Sequence, residues 1–253
     1  MRMIVLTATL AAVLAAGAPT GGPATRPADG FRSLFNGKDL TGWDGDPKLW
    51  SVADGAITGD TGKGIRRNSF LIWKGGQVTD FELRLKYRIV GGNSGIQFRG
   101  KDLGKWAVAG YQADIDAGNR YTGILYEERG RAFLARVGEK VVIGADGKRK
   151  VVAKVGEPAK IKAAIKPEQW HEYVIVARGE HIVLRIDGMV TVDVTDADPR
   201  RRRAGVLALQ LHAGKGMKIQ FKDIRLKALA PPATAPASAP APRRGGATPG
   251  TAE

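Results

Sequence analysis

Asp80-Phe81-Glu82-Leu83-Arg84-Leu85-Lys86-Tyr87-Arg88-Ile89-Val90 decides the fold class. Phe81, Leu83, Leu85, Tyr87 and Ile89 alternate with Glu82, Arg84, Lys86 and Arg88. Successive side chains of a strand point to opposite faces, so this period of two predicts a strand with one buried and one solvated face. Gly91-Gly92 ends the strand. Ile96 and Phe98 then alternate with Gln97 and Arg99 in a shorter strand closed by Gly100.

Outward from this pair the same pattern recurs. Asp54-Gly55 lies between Ser51-Val52-Ala53 and Ala56-Ile57-Thr58, and Asp187-Gly188 lies between Ile182–Ile186 and Met189–Val192. Asp-Gly tolerates the positive φ angles of a two-residue turn, so both pairs predict hairpins. Further strand-like runs are Phe70–Trp73, Tyr111–Asp116, Gly123–Tyr126, Phe133–Val137, Lys160–Ile165, His171–Ala177, Val206–Leu211 and Met217–Leu226. In the last run Ile219 and Phe221 share one phase and Ile224 and Leu226 the other, which predicts a bulge near Lys222-Asp223. No helical period is sustained beyond three turns, and no internal repeat suggests a propeller or solenoid. The fold expected is all-β: a two-sheet antiparallel sandwich of jelly-roll style.

Composition agrees with many short strands. The chain has 253 residues with 34 Gly, 13 Pro and no Cys. Without Cys there is no disulfide, thiolate nucleophile or Cys-ligated zinc. Lys and Arg number 40 against 25 Asp and Glu, a net charge of +15. Arg2, the apolar run Met3–Ala16 and Ala16-Gly17-Ala18 read as a signal peptide over 1–18, too short to span a bilayer comfortably. Residues 19–30 form a Pro/Gly/Ala/Thr linker, and 230–253 a Pro/Ala-rich tail expected to be disordered. The folded domain is expected at 31–229, in a protein exported to the periplasm or beyond, with no transmembrane anchor once the signal is cleaved.

The chemistry is sought on polar strand faces. In Gly110-Tyr111-Gln112-Ala113-Asp114-Ile115-Asp116 the polar Gln112, Asp114 and Asp116 share one face. Neighbouring carboxylates raise one another's pKa, which suits proton transfer. A solvated outer face is the alternative. Gln97 and Arg99 project from a nearby polar stripe. Tyr121-Thr122-Gly123-Ile124-Leu125-Tyr126-Glu127-Glu128-Arg129-Gly130-Arg131 mixes aromatics, acids and guanidiniums, a mixture that suits sugars or else a charged loop. Asn93 and Ser94 sit in a tight turn that could form a rim. His171 and His181 are expected at the surface; His212 follows Gln210 at a strand end. No His pair has metal-ligand spacing, so a divalent cation would need mixed oxygen and His ligands. Arg200–Arg203 and Lys148-Arg149-Lys150 are basic clusters in separate loops without stacking aromatics. They fit contact with anionic envelope polymers better than specific nucleic-acid binding.

Several blocks, in order, resemble the 3-keto-disaccharide hydrolase domain family. They are Ser33-Leu34-Phe35-Asn36-Gly37-Lys38-Asp39-Leu40-Thr41-Gly42-Trp43, Trp50-Ser51-Val52, Asp80-Phe81-Glu82-Leu83, Gly92-Asn93-Ser94-Gly95-Ile96, Trp170-His171-Glu172-Tyr173 and Phe221-Lys222-Asp223-Ile224-Arg225-Leu226. The resemblance covers about 31–229. It implies a concanavalin A-like or laminin-G-like jelly roll in an exported bacterial carbohydrate-active protein that cleaves 3-keto-glycosides. Where the family pattern reads Gly-Tyr-Glu-Val-Gln-Ile, this chain has Gln112 and Asp114 in place of the Glu and Gln. Where the family often shows Gln-Asp-His-Gly, it has Gln210-Leu211-His212-Ala213-Gly214.

The chemistry implied is elimination followed by hydration. A C3 ketone acidifies the C2 proton, a base removes it, and the C1 substituent leaves without an oxocarbenium ion. The residues expected to carry this are Asp114 or Asp116 as base, Arg99 on the enolate oxygen, and Glu127 or His212 as acid. Asn93, Ser94, Gln97, Tyr111, Gln112, Tyr126, Arg129 and Gln210 are expected to hold the sugar. A non-catalytic glycan-binding module would use the same fold and cleft. A basic adhesion protein would use the Arg200–Arg203 loop instead. The enzyme reading requires Arg99, Asp114, Asp116, Glu127 and His212 to converge on one pocket.

Overall fold

A computed structural model describes residues 29–232, so the expected signal peptide, all but the end of the linker, and the tail from 233 lie outside the described residues. In chain order the strands begin with β1 (Arg32–Ser33), β2 (Trp43–Asp44), β3 (Trp50–Ala53), β4 (Ala56–Asp60), β5 (Gly64–Ile65) and β6 (Ser69–Trp73). The central ones are β7 (Phe81–Val90), β8 (Asn93–Asp102), β9 (Val108–Asp116), β10 (Leu125–Glu128), β11 (Ala132–Ala135), β12 (Glu139–Ile143) and β13 (Arg149–Lys154). A helix α1 (Pro158–Ala164) follows, and then β14 (His171–Arg178), β15 (His181–Ile186), β16 (Met189–Asp196), β17 (Val206–Leu211), β18 (Gly214–Lys215) and β19 (Lys218–Ala228).

Two sheets carry the fold. The larger has the order β13-β12-β16-β15-β14-β7-β19-β4-β3, with β1 on β19; the smaller has β11-β10-β9-β8-β17-β6-β2. Strand β7 buries Phe81, Leu83, Leu85, Tyr87 and Ile89 and turns its charged residues out, as its alternation requires. These residues share one core with Ile96, Phe98, Tyr111, Ala113 and Ile115 of the facing sheet. Phe81 meets Phe98 edge-on with centroids 5.8 Å apart, the geometry the ring quadrupole favours. This apolar layer holds a cysteine-free domain together.

The turn chemistry follows the residues. Asp54 and Gly55 both have positive φ (53° and 68°) between β3 and β4, and Asp187 and Gly188 (48° and 78°) between β15 and β16. Both hairpins therefore form where the Asp-Gly pairs predict them. The β19–β7 ladder shifts register between Lys222 and Arg225, with Asp223 at φ 54°. That is the bulge read from the phase slip.

Three expectations are corrected. Lys160–Ile165 is not a strand: Pro158 opens a helix, and Ile161 and Ile165, spaced i and i+4, are both buried. The sandwich is not wholly antiparallel, because β12 runs parallel to β16. His171 is buried rather than superficial; its Nδ1 meets Asp187 Oδ2 at 2.6 Å and its Nε2 meets the Lys166 carbonyl at 2.7 Å.

Candidate functional site

The smaller sheet has an outer face as well as a core face. On β9, Tyr111, Ala113 and Ile115 enter the core, so Gln112, Asp114 and Asp116 project outward together. Register then gathers the neighbours. Gln97 of β8 lies opposite Gln112, Gln112 lies opposite Tyr126 of β10, and Asp114 lies opposite Gly95. A Cβ at Gly95 would stand 2.6 Å from Gln112 Cγ, so the missing side chain is the space over which Gln112 folds.

Amides fix the carboxylate. Asn93 Nδ2 donates to Asp114 Oδ1 at 2.6 Å, and Gln112 Nε2 donates to Asp114 Oδ2 at 3.1 Å. Gln97 Nε2 donates to Gln112 Oε1 at 2.9 Å, and Gln112 Nε2 also reaches Gln210 Oε1 at 3.3 Å. Gln97 Oε1 and Gln210 Nε2 are buried without a partner among the described residues, so the floor retains one unspent acceptor and one unspent donor. Burial raises the Asp114 pKa, and nearby Asp116 adds to the rise. The Asn93 and Gln112 donors oppose it, and the carboxyl ends pushed up to about 7. A carboxylate poised there can accept and return a proton near neutrality.

These groups line a cleft of about 240 Å³. Asn93, Gln112, Asp114 and Asp116 form its floor and near wall, with Glu128 and His212 as further polar groups. Tyr121, Tyr126 and Phe133 supply an aromatic wall; Tyr126 and Phe133 meet edge-on at 5.2 Å. Apolar ring faces beside a few convergent polar groups suit a sugar. His212 Nδ1 lies 2.6 Å from the Ala213 carbonyl, which leaves Nε2 as the ring nitrogen open to a ligand. Asn68 secures that loop, accepting from the Ala213 amide at 2.8 Å and donating to Glu128 Oε1 at 3.4 Å.

Of the five residues expected to converge, Asp114, Asp116 and His212 do; Arg99 and Glu127 do not. Arg99 has φ 48°, and the β8–β9 ladder shifts register between Phe98 and Lys101. The bulge breaks the alternation, so Arg99 leaves the phase of Gln97. Its guanidinium is buried against the Thr79 and Gly179 carbonyls (2.7 and 2.9 Å) and Asp80 Oδ1 (3.1 Å). Glu127 shares the inward phase of Leu125 and binds Arg131 Nε at 2.5 Å. Its neighbour Glu128 is the acid that faces the cleft. Asp116 lines the cleft, but its Oδ2 accepts from the Arg120 amide at 2.7 Å, which commits it to the turn that follows.

Among the expected sugar contacts, Asn93, Gln112 and Tyr126 line the cleft, and Gln97 and Gln210 lie behind Gln112. Tyr111 does not: it faces the core, where its hydroxyl donates to Asp196 Oδ2 at 2.5 Å. Ser94 faces inward and donates to the Gln210 carbonyl at 2.7 Å. Arg129 is exposed at φ 52° in the turn between β10 and β11, away from the lining. Tyr121, Ile124 and Glu128, inside the segment whose mixture suits sugars but given no role there, also line the cleft, as does Phe133, which sequence reasoning left out. The Arg200–Arg203 run is largely engaged in ion pairs. Arg200 meets Asp198 at 2.7 Å, Arg201 meets Glu180 at 2.7 Å, and Arg202 lies 3.6 Å from Glu127. Among the described residues no group of three or more His, Asp or Glu side chains has metal-holding geometry. No helix among them is long and apolar enough to cross a membrane.

The chain is 21% identical to one provisionally assigned glycosyl hydrolase from Parabacteroides distasonis ATCC 8503, with a TM-score of 0.55 over 81% of this chain and 96% of that one. A second such protein from the same organism is 19% identical, with a TM-score of 0.53 over 79% of this chain and 99% of that one. At these identities the likeness shows a common fold. No curated protein matches the sequence. The model of the 3-keto-alpha-glucoside-1,2-lyase-like domain matches residues 30–227. On that match, spanning the two-sheet sandwich and the whole cleft, the chain belongs to the 3-keto-alpha-glucoside-1,2-lyase-like domain family.

Proposed function

We propose that the protein cleaves 3-keto-glycosides by elimination across C1 and C2 followed by hydration, with Asp114 as the base. One observation carries this reading: a buried carboxylate, held by two amide donors at the floor of an aromatic-walled cleft, with its pKa raised to about 7. Family membership supports the same chemistry.

Asp114 takes the C2 proton, which the adjacent C3 ketone acidifies. The C2–H electrons form the C1=C2 bond as the C1–O bond breaks. The departing oxygen receives a proton from His212. Water then adds across C1=C2: its hydroxyl goes to C1 and its other proton returns to His212, while Asp114, whose carboxyl proton exchanges with the water admitted for this step, delivers a proton to C2. The products are an alcohol and a free 3-keto-sugar, and both side chains end as they began. Burial favours the neutral form of Asp114, so accepting the proton relieves the desolvation that raised its pKa. Tyr121, Tyr126 and Phe133 stack on the sugar, and Gln112 and Asn93 keep the carboxylate oriented. Arg99 has no part in this scheme.

The run Met3–Ala16 with Ala16-Gly17-Ala18 supports export, and in that reading the reaction takes place in the periplasm or outside the cell. The test is turnover of a 3-keto-disaccharide and of its unoxidised parent by purified protein. The keto-sugar alone should be cleaved. Asp114→Asn should abolish cleavage, with Asp116→Asn impaired less. Tight binding of both sugars without turnover would instead mark a glycan-binding module.

A further inference from the structure

A second groove, of about 410 Å³, adjoins the cleft and shares Ile124 with it. Its charged groups are Arg120, Arg136, Lys154 and Lys162 against a single acid, Glu139. Glu139 is already engaged by Arg149, and Lys154 by Glu157 at 3.3 Å. The side-chain cations of Arg120, Arg136 and Lys162 have no carboxylate within ion-pair distance among the described residues.

Solvated surface cations are ordinary; these are distinguished by how they are held. The Arg120 guanidinium lies 5.1 Å from the Tyr121 ring centroid, and that of Arg136 lies 4.8 Å from the Phe133 centroid. The two rings contact each other at 6.0 Å, and both wall the cleft. Lys162 Nζ donates to the Arg120 carbonyl at 3.0 Å. Stacking orders a guanidinium without consuming its N–H donors, so the fork stays available to a planar or tetrahedral anion. The cleft has the opposite character. Asp114, Asp116 and Glu128 line it, and no Lys or Arg does among the described residues. One ligand spanning both spaces would be uncharged at one end and anionic at the other. The cleft alone is smaller than the ~300–1,000 Å³ common for small-molecule sites, and the groove supplies room for a second ring.

We propose that this groove is a subsite for a carboxylate or sulfate carried on the leaving-group half of the glycoside. The identity of the cleft's occupant rests on the lyase reading above; the anion preference rests on the groove. A hexuronic acid and a sulfated hexose share the recognised chemistry, and the experiment separates them.

Three matched 3-keto-glycosides, with glucose, glucuronic acid or glucose 6-sulfate as leaving group, would be compared at low and high salt. A charged leaving group should gain about tenfold in kcat/KM at low salt, the low end for a charge-assisted contact at a partly exposed site. The gain should shrink with salt. In Arg120→Gln/Arg136→Gln, and to a lesser degree in Lys162→Gln, it should disappear while the neutral substrate is cleaved as before. Whichever charged substrate gains more identifies the anion. Equal kcat/KM for neutral and charged substrates, or a preference that survives the substitutions, would overturn the subsite and leave the lyase reading intact. Calorimetric binding of methyl glucuronide against methyl glucoside needs no turnover. Uronide-selective binding abolished by the double substitution would sustain the groove even if no keto-sugar were cleaved. Absence of both turnover and selective binding would overturn both proposals.

Discussion

Asp114→Asn should make the fold more stable at neutral pH, by an amount that collapses on acidification. The unfolded carboxyl titrates near ~3.9; in the fold, burial lifts it to about 7. Below the unfolded value both states hold the proton and the carboxyl costs nothing. Between the two values the fold keeps the proton and the unfolded chain has released it, so wild-type stability falls as pH rises. Above about 7 the full penalty is present. About three pKa units at ~1.36 kcal/mol each amount to about 4 kcal/mol. Asparagine does not titrate. It does offer one acceptor where the carboxylate offered two, so Asn93 or Gln112 loses a partner, at ~1–3 kcal/mol independent of pH. The quantity to measure is therefore the change in the difference between variant and wild type. Urea unfolding at intervals from pH 4 to 8 should show that difference rising by about 4 kcal/mol in the variant's favour. A difference that stays flat across this range would refute the assignment of a desolvated, high-pKa carboxyl to position 114.

Further outcomes follow from the same geometry. Activity should rise with pH through about 7, because the base must be ionised and burial has raised its pKa; a profile already flat from pH 5 would count against Asp114. Gly95→Ala should drive its new methyl into Gln112, costing ~1–3 kcal/mol of stability and lowering kcat, whereas an unchanged kcat would show that Gln112 has no positioning role. Glu127→Gln should lower the urea midpoint with the rate retained, and Glu128→Gln should lower the rate with the midpoint retained; the reverse would mean that the phase of β10 is misread. Arg131→Met leaves buried Asp196 without a cation partner and removes one of the two partners of Glu127 and of Asp198, and should cost ~3–5 kcal/mol by urea unfolding, a loss below 1 kcal/mol being inconsistent with the network.

The strand alternation that reveals the sandwich also reveals the floor of the cleft. Gln112 and Asp114 are legible because Tyr111, Ala113 and Ile115 announce which face is buried. The errors occur where alternation is interrupted or miscounted. Arg99 is two residues from Gln97, and only the bulge at φ 48° separates their directions; nothing local in Phe98-Arg99-Gly100 announces it beyond the glycine. The choice between Glu127 and Glu128 was decidable, since Leu125 fixes the inward phase and places Glu127 with it. Helix α1 carried its own marks as well, a proline at the start and Ile161 and Ile165 four apart. Phe133 and Tyr121 reach the cleft through the pairing of β10 with β11 and the turn after β9. Such long-range packing leaves no periodic trace. The basic surplus divides in the same way: the Arg200–Arg203 run, conspicuous in sequence, is spent on ion pairs, while Arg120 and Arg136, which are scattered, lie on the aromatic wall.

The central claim is that Asp114 removes and returns a proton at C2, and the most direct measurement is the hydrogen isotope at that carbon. A 3-keto-disaccharide would be cleaved in D₂O and the 3-keto-sugar product examined by NMR against a protein-free control. The account predicts one deuterium at C2 for every turnover by the wild-type protein, with Asp114→Asn at least ~100-fold slower. Full turnover with the original protium retained at C2 would contradict it, since a proton held on Asp114 exchanges with the water of the hydration step before it is returned.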